Sequence, residues 1–253
     1  MIRLKNDKQI EGIRRSCKML SAMYRELIPL VKPGVAELDL DIWVRRWIKK
    51  NGGKPAFLGY GDKKNPFPGA LCISLNDTVI HGIPSKYKIA EGDLVSLDCG
   101  IDLDGYISDQ AVTIEAGKVS EAAHRLNITT KECLKRGIAA AKAGERLLVI
   151  SRAVENHAKE AGYGIVTRYC GHGVGFSLHE DPQIPNVAKG SNPRLSKGLV
   201  FALEPMINMG TGNVEVLDDN WTVVTADGNL SAHWEHTLAV TGDTVEVLTE
   251  DVL

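Results

Sequence analysis

VSLDCGIDLDGYISDQA, residues 95–111, reads as two strands of a hairpin with one acid placed on each. The first strand, 94–101, is apolar and carries Asp98; the second, 106–115, carries Asp109. The turn falls within Asp102-Leu103-Asp104-Gly105. A two-residue loop at 103–104 sets Asp98 directly opposite Asp109. A loop at the favoured Asp104-Gly105 pair sets them one diagonal apart. In both registers the carboxylates share a face, with Cβ atoms roughly 5–8 Å apart. A three-residue loop would separate them. Two carboxylates on one buried face repel, so one takes up a proton or a cation lies between them.

The glycine that leads into this strand recurs. Gly92-Asp-Leu-Val-Ser-Leu-Asp98 has the pattern of Gly198-Leu-Val-Phe-Ala-Leu-Glu204: a glycine, a buried strand, then an acid. The match predicts two related halves. Each half opens with helices: 7–28 and 38–50 in the first, 119–142 and 151–161 in the second. In 7–28, Ile10, Ile13, Cys17, Leu20, Tyr24 and Leu27 recur at helical spacing, with Asn6 or Asp7 as cap. The other strands are predicted at 70–75, 78–83, 165–170, 199–208, 221–225, 231–240 and 245–249, and 55–70 as an ordered loop. Asp227-Gly228 is a favoured type I′ pair, so 221–225 and 231–240 are predicted to form a hairpin.

Two further acids sit at strand positions, Glu204 at the end of VFALEP and Glu235 within SAHWEHTLAV. Buried strands seldom carry unpaired carboxylates. In CGHGVGFSLHEDP, residues 170–182, His172 stands among glycines and His179 follows seven residues later. Four carboxylates balance two divalent cations, and one neutral imidazole completes a donor set suited to Mn, Fe, Co or Zn. Two ions bridged by carboxylates form a hydrolytic centre.

The totals narrow the partners. The chain has 253 residues, 43% hydrophobic and 25% charged, ordinary for a globular protein. Its net charge of −2 offers no global attraction for nucleic acid or anionic membrane. No apolar run approaches the ~20 residues of a membrane span. The start, MIRLKNDKQIEGIRR, lacks a signal-peptide core, so the expected location is cytoplasmic. The five cysteines include no CxxC and read as reduced, packed thiols.

In the order Asp98, Asp109, His172, Glu204, Glu235 the chain resembles the type I methionine aminopeptidases of the creatinase/aminopeptidase, or pita-bread, family. NDTVIHGIP (76–84), VSLDCGIDLDGYISDQA (95–111), YCGHGVG (169–175), FALEPM (201–206) and WTVVTADGNLSAHWEHT (221–237) carry the resemblance. It implies an α+β fold with two pseudo-symmetric halves and a curved antiparallel sheet backed by helices, residues 1–253 forming one catalytic domain. It also implies a bimetal site of those five residues, bridged by Asp109 and Glu235. Asp98 would serve mainly one ion, and His172 with Glu204 the other.

The activity so implied is removal of the initiator methionine from nascent chains, with a preference for a small second residue. By that rule the chain would keep its own Met1, because Ile2 is bulky. His179 would hydrogen-bond the scissile carbonyl, His81 would meet the leaving amine, and Glu204 would shuttle a proton. Phe57, Tyr60, Phe67, Cys72, Leu178 and Trp221 match the methionine pocket. His124 and His157 read as surface or packing residues; His233 and His236, which flank Glu235, read as structural, with support of the site as the alternative.

Two departures lie at the pocket mouth: the extra residues GDKKNP (61–66), and Leu178 where relatives commonly place an aromatic. The short form implies a monomer with transient ribosome contact, although the basic clusters, such as Arg14-Arg15 and Lys63-Lys64, are only modest. X-Pro aminopeptidases and prolidases share the five ligands but usually carry an extra N-terminal domain, for which 253 residues leave no space. Non-catalytic relatives of the fold have typically lost ligands, and here all five are filled.

Overall fold

The structure, a computed structural model, describes Met1–Leu253. Helices α1 (Asp7–Leu27) and α2 (Glu37–Lys50) precede β1 (Lys54–Pro55), β2 (Cys72–Leu75), β3 (Thr78–Ile80), β4 (Leu94–Leu103) and β5 (Tyr106–Glu115). Helices α3 (Glu121–Ala140) and α4 (Leu148–Glu160) open the second half. After them come β6 (Gly164–Ile165), β7 (Gly171–Gly173), β8 (Glu180–Ile184), β9 (Val200–Leu203) and β10 (Met206–Asn208). The chain finishes with β11 (Val214–Val216), β12 (Val223–Thr225), β13 (Ser231–His233), β14 (His236–Thr241) and β15 (Thr244–Val247).

Asn6 is the cap of α1: its side chain accepts from Gln9 N, and Gln9 returns a bond to Asn6 N. This reciprocal box satisfies two otherwise orphaned amides. The apolar stripe of the helix lies on β4 and β5. Tyr24, fully buried, donates its hydroxyl hydrogen bonds to Leu97 O and Gln110 O, one carbonyl on each of those strands.

β4 is the spine of the first sheet, with β5 on one edge and β1 and β2 sharing the other. The β4–β5 turn is Asp104-Gly105, both at positive φ (55° and 81°), as a type I′ turn requires. This selects the diagonal register: Asp98 pairs with Ala111, and Asp109 with Gly100. The second sheet runs β15-β14-β9-β7-β8. The two sheets meet where Glu235 N donates to Ala111 O, and where the Thr237 hydroxyl bonds both the N–H and the carbonyl of Asp109.

The two halves repeat each other in detail. Gly92 (φ 95°) donates to Ala116 O at 2.8 Å, and Gly198 (φ 91°) to Val240 O at 2.9 Å. The residue after each glycine accepts the return bond, from Ala116 N to Asp93 O and from Val240 N to Leu199 O. All ladders are antiparallel, and the helices back the sheets, so the α+β pita-bread arrangement implied by the resemblance is present.

Several predicted strands differ. The 221–225/231–240 hairpin does not form: β12 pairs with β11 and β3, whereas β13 pairs with β10. Asp227 instead turns its carboxylate onto Thr211 N and Asn229 N, which bends the segment away from a two-residue turn. The predicted strand 199–208 breaks at Glu204-Pro205, and 231–240 breaks at Trp234-Glu235. Of 165–170 only the first residue lies in a strand. β1, β7, β8 and β11 are additional.

Candidate metal centre and active site

The four acids and the imidazole singled out in the sequence line one cleft. β4 and β5 present Asp98 and Asp109; β7 presents His172; the two strand breaks present Glu204 and Glu235. Backbone that leaves the ladder at an acid frees that side chain to turn into the cleft. The glycines around His172 have a steric cause. A Cβ on Gly171 would come within 2.3 Å of Ala202 O, and one on Gly173 within 2.3 Å of Asp181 O. β7 lies between β9 and β8 so closely that only glycine fits on either side of the imidazole.

His172 Nδ1–H donates to Gly173 O at 3.0 Å, which leaves the Nε2 lone pair aimed into the cleft. That nitrogen lies 3.3 Å from Glu204 Oε1 and 3.8 Å from Asp109 Oδ2. One ligand atom each from Asp109, His172 and Glu235 lie within 4.8 Å of one another. Asp98 Oδ1, Asp109 Oδ1 and Glu235 Oε1 are buried without a hydrogen-bond partner. Buried carboxylate oxygens are costly unless something positive or hydrogen-bonding satisfies them. The donor set therefore fits hard to intermediate divalent cations.

The electrostatics agree. Burial pushes Asp98 up to about 7, against the pull of His233, and Glu204 up to about 8. Burial, then the neighbouring acids, raises Asp109 and Glu235 well above the ordinary carboxylate range. Burial lowers His172 to about 3, with His179 adding to the shift. Neutral imidazole beside crowded acids is the state that a cation would exploit, displacing protons as it binds.

Around this cluster stand the other predicted residues. Phe57, Phe67, Cys72 and Leu178 pack together, and Trp221 closes the group with its ring edge-on to Phe67 at 5.3 Å. The extra loop 61–66 is tied to this wall, because Asn65 O accepts from Trp221 Nε1 and Asn65 Nδ2 donates to Asp219 O. Tyr60 shares a 2.7 Å hydrogen bond with His179 Nδ1. His179 is exposed at the mouth, its ring centroid 4.1 Å from that of His172. His81 has a left-handed backbone (φ 58°) and sits edge-on to Tyr169 and Trp221. Burial, then His179 and His233, lowers it to about 4, so its ring is neutral near pH 7.

His236 is structural as expected, with Nδ1 bonded to Thr249 Oγ1. His233 is placed as the alternative reading has it, beside the site: its buried Nε2 has no hydrogen-bond partner and lies 3.6 Å from Glu204 Oε2. It faces the acid cluster, the supporting role that its position flanking Glu235 left open. Asn186, whose Nδ2 donates to Glu204 O, and Thr237 escaped the sequence reading, since their partners are remote along the chain.

Residues 11–242 match metallopeptidase family M24. The chain is 51% identical to the methionine aminopeptidase of Treponema pallidum over 252 residues, 99% of this chain and 97% of that one. Its fold is similar to the crystal structure of methionine aminopeptidase from Rickettsia prowazekii, with TM-score 0.95 and 33% identity over 99% and 100% of the two chains. The prolidase from Pyrococcus furiosus is more distant, with TM-score 0.80 and 26% identity; the match takes in 98% of this chain but 65% of that one. With its acids and imidazole gathered in one cleft, the chain belongs to the methionine aminopeptidases of metallopeptidase family M24.

Proposed function

We propose that this chain removes the N-terminal methionine from newly made polypeptides, with a preference for a small second residue. The observation that carries this reading is the apolar wall of Phe57, Phe67, Cys72, Leu178 and Trp221 ending on the acid–imidazole cluster. An unbranched thioether suits such a soft pocket.

Asp98, Asp109, His172, Glu204 and Glu235 would hold two divalent ions, Mn, Fe, Co or Zn. Bound there, such ions supply Lewis acidity toward a carbonyl and lower the pKa of water. His179, braced through Nδ1 by Tyr60, offers Nε2 to the substrate carbonyl oxygen. A donor aimed at developing negative charge commonly contributes roughly 3 kcal/mol. His81, held by its backbone and by two aromatic rings, orients the leaving nitrogen. Glu204 would take a proton from the attacking water and pass it to that nitrogen.

The 253 residues act as one catalytic unit, monomeric and cytoplasmic, meeting nascent chains in transient contact with the ribosome. Among the basic clusters, Arg14 is engaged by Glu11 and Glu246, and Arg15 faces Asp104. Encounter therefore rests on the substrate terminus more than on a basic face. The test is to load metal-free protein with Mn, Fe, Co or Zn separately and offer Met-Ala-Ser, Met-Ile-Ser and Ala-Pro-Ala. Methionine release from Met-Ala-Ser alone is the expected result. Cleavage of Ala-Pro-Ala instead would overturn it in favour of an X-Pro enzyme.

A further inference from the structure

Lys5 is buried, and so is its partner. Its Nζ lies 2.6 Å from Glu180 Oε2, with the two side chains 0% and 2% exposed. The other oxygen, Glu180 Oε1, accepts from Phe176 N at 2.7 Å and Ser177 N at 2.9 Å. One carboxylate therefore closes the turn 176–180, which carries Leu178 of the pocket wall and His179 of the mouth. The Lys5 backbone is fixed in turn, its N–H donating to Gly198 O at 2.7 Å. Arg3 and Lys5 lie over the Phe176 ring, and Gly175 O accepts from Ile107 N. The segment is thus held on one side by β5 and on the other by the N-terminal residues.

A buried ion pair is a poor device for stability alone. Apolar residues of similar volume commonly do as well or better, because both charges must leave water. What the pair adds here is direction. The ammonium claims Oε2, and that leaves Oε1 pointed at the two amides of the turn. We infer that Lys5 is a positioning residue for His179 and Leu178, acting through Glu180, so that the N-terminal segment is a working part of the active-site wall. The inference rests on the reading of the cleft given above.

The test uses the metal-loaded full chain as wild type, Lys5→Met and Lys5→Met/Glu180→Gln. The single variant strips the buried Oε2 of its partner and leaves the carboxylate only the turn amides and the half-exposed Arg3, 3.8 Å from Oε1, so it is expected to lose both melting temperature and turnover. In the double variant no charge is stranded, and the introduced carboxamide still offers an oxygen to the turn amides. Its melting temperature is expected to return to near wild type, while kcat on Met-Ala-Ser stays down by about tenfold or more, the scale of a small misplacement of a reacting group. KM is expected to rise less than kcat falls, since His179 acts on the carbonyl and Leu178 only on the side chain.

A double variant with wild-type kcat would overturn the inference, because turnover would then merely follow stability. Histidine-labelled NMR gives a readout free of activity. The His179 resonances are expected to move in the double variant while those of His124 and His157, on outer helices, stay fixed. An unmoved His179 would also overturn it. If wild type releases no methionine with any metal, the proposed function fails, and the His179 resonances still decide whether the clamp sets the loop.

Discussion

Glu204 is the residue where geometry and proton affinity meet. His172 Nε2 lies at one of its oxygens and His233 Nε2 at the other, and burial raises its pKa to about 8. Glu204→Gln keeps the shape and removes the titrating oxygen. Turnover of the metal-loaded variant is expected to fall by roughly 10²–10⁴-fold, the usual contribution of a positioned acid–base group. Far-UV circular dichroism and the metal-free melting temperature are expected to hold, since a crowded carboxyl has been neutralised. Near-normal kcat in a folded, loaded variant would remove Glu204 from the proton path. Asp98 and Asp109 were legible at this scale because an Asp-Gly turn fixes its own register within a few residues. Lys5 was not, because it meets its partner 175 positions away; His233 was legible only as an alternative beside Glu235, since it reads as a strand residue until the strand is seen to stop beside it.

Among the elements, α1 is the strut behind the ligand strands. Tyr24 bonds the carbonyls of Leu97 and Gln110, each the chain neighbour of a proposed ligand. Tyr24→Phe strips one buried donor from two acceptors, at an expected cost of about 1–3 kcal/mol. Urea unfolding should show a lower midpoint with an unchanged slope; an unchanged midpoint would mean that water or a neighbour replaces the hydroxyl at no cost. The helices were readable from periodicity, because one apolar stripe faces one sheet. The second-half strands were less so. Glu204-Pro205 and Trp234-Glu235 interrupt apolar runs that read as continuous, and the Asp227-Gly228 signal yields to long-range pairing with β3 and β10. Local turn chemistry loses where each strand has a better partner far along the chain.

Across the whole molecule, the buried acids make stability depend on pH and metal together. Asp98 and Glu204 have folded pKa values above their ordinary ones, while burial lowers His81, His172 and His236 and opposes them below the ordinary imidazole pKa of about 6.5. Above it the imidazoles are neutral in both states, so the folded metal-free chain binds more protons than the unfolded chain between about pH 7 and 8. Stability must then fall as pH rises through that window. Glu180 works the other way. Burial pushes it up, but Lys5 and the turn amides outweigh burial and hold it below the ordinary range. Its contribution is present above the ordinary carboxylate pKa and is lost as pH drops through the depressed value. Scanning calorimetry of chelator-treated protein should show a melting temperature that declines from about pH 7 to about pH 8.5. Manganese at about 100 times its Kd should restore about 2.7 kcal/mol, with more proton release at lower pH. A metal-free melting temperature that climbs from about pH 7 to about pH 8.5 would contradict the raised acids.

The matched turns at Gly92 and Gly198 carry a consequence for ancestry. Counting back from Ala116 and Val240, the counterpart of Asp109 is His233, and the counterpart of Glu235 is Ala111. If the halves descend from one duplicated unit, the twin copies have specialised, keeping an acid in common only at Asp98 and Glu204. Neither copy now owns a centre. A chain severed between β5 and α3 would leave two ligands on one piece and three on the other, and dissolved cations would become the glue that decides whether the pieces reunite.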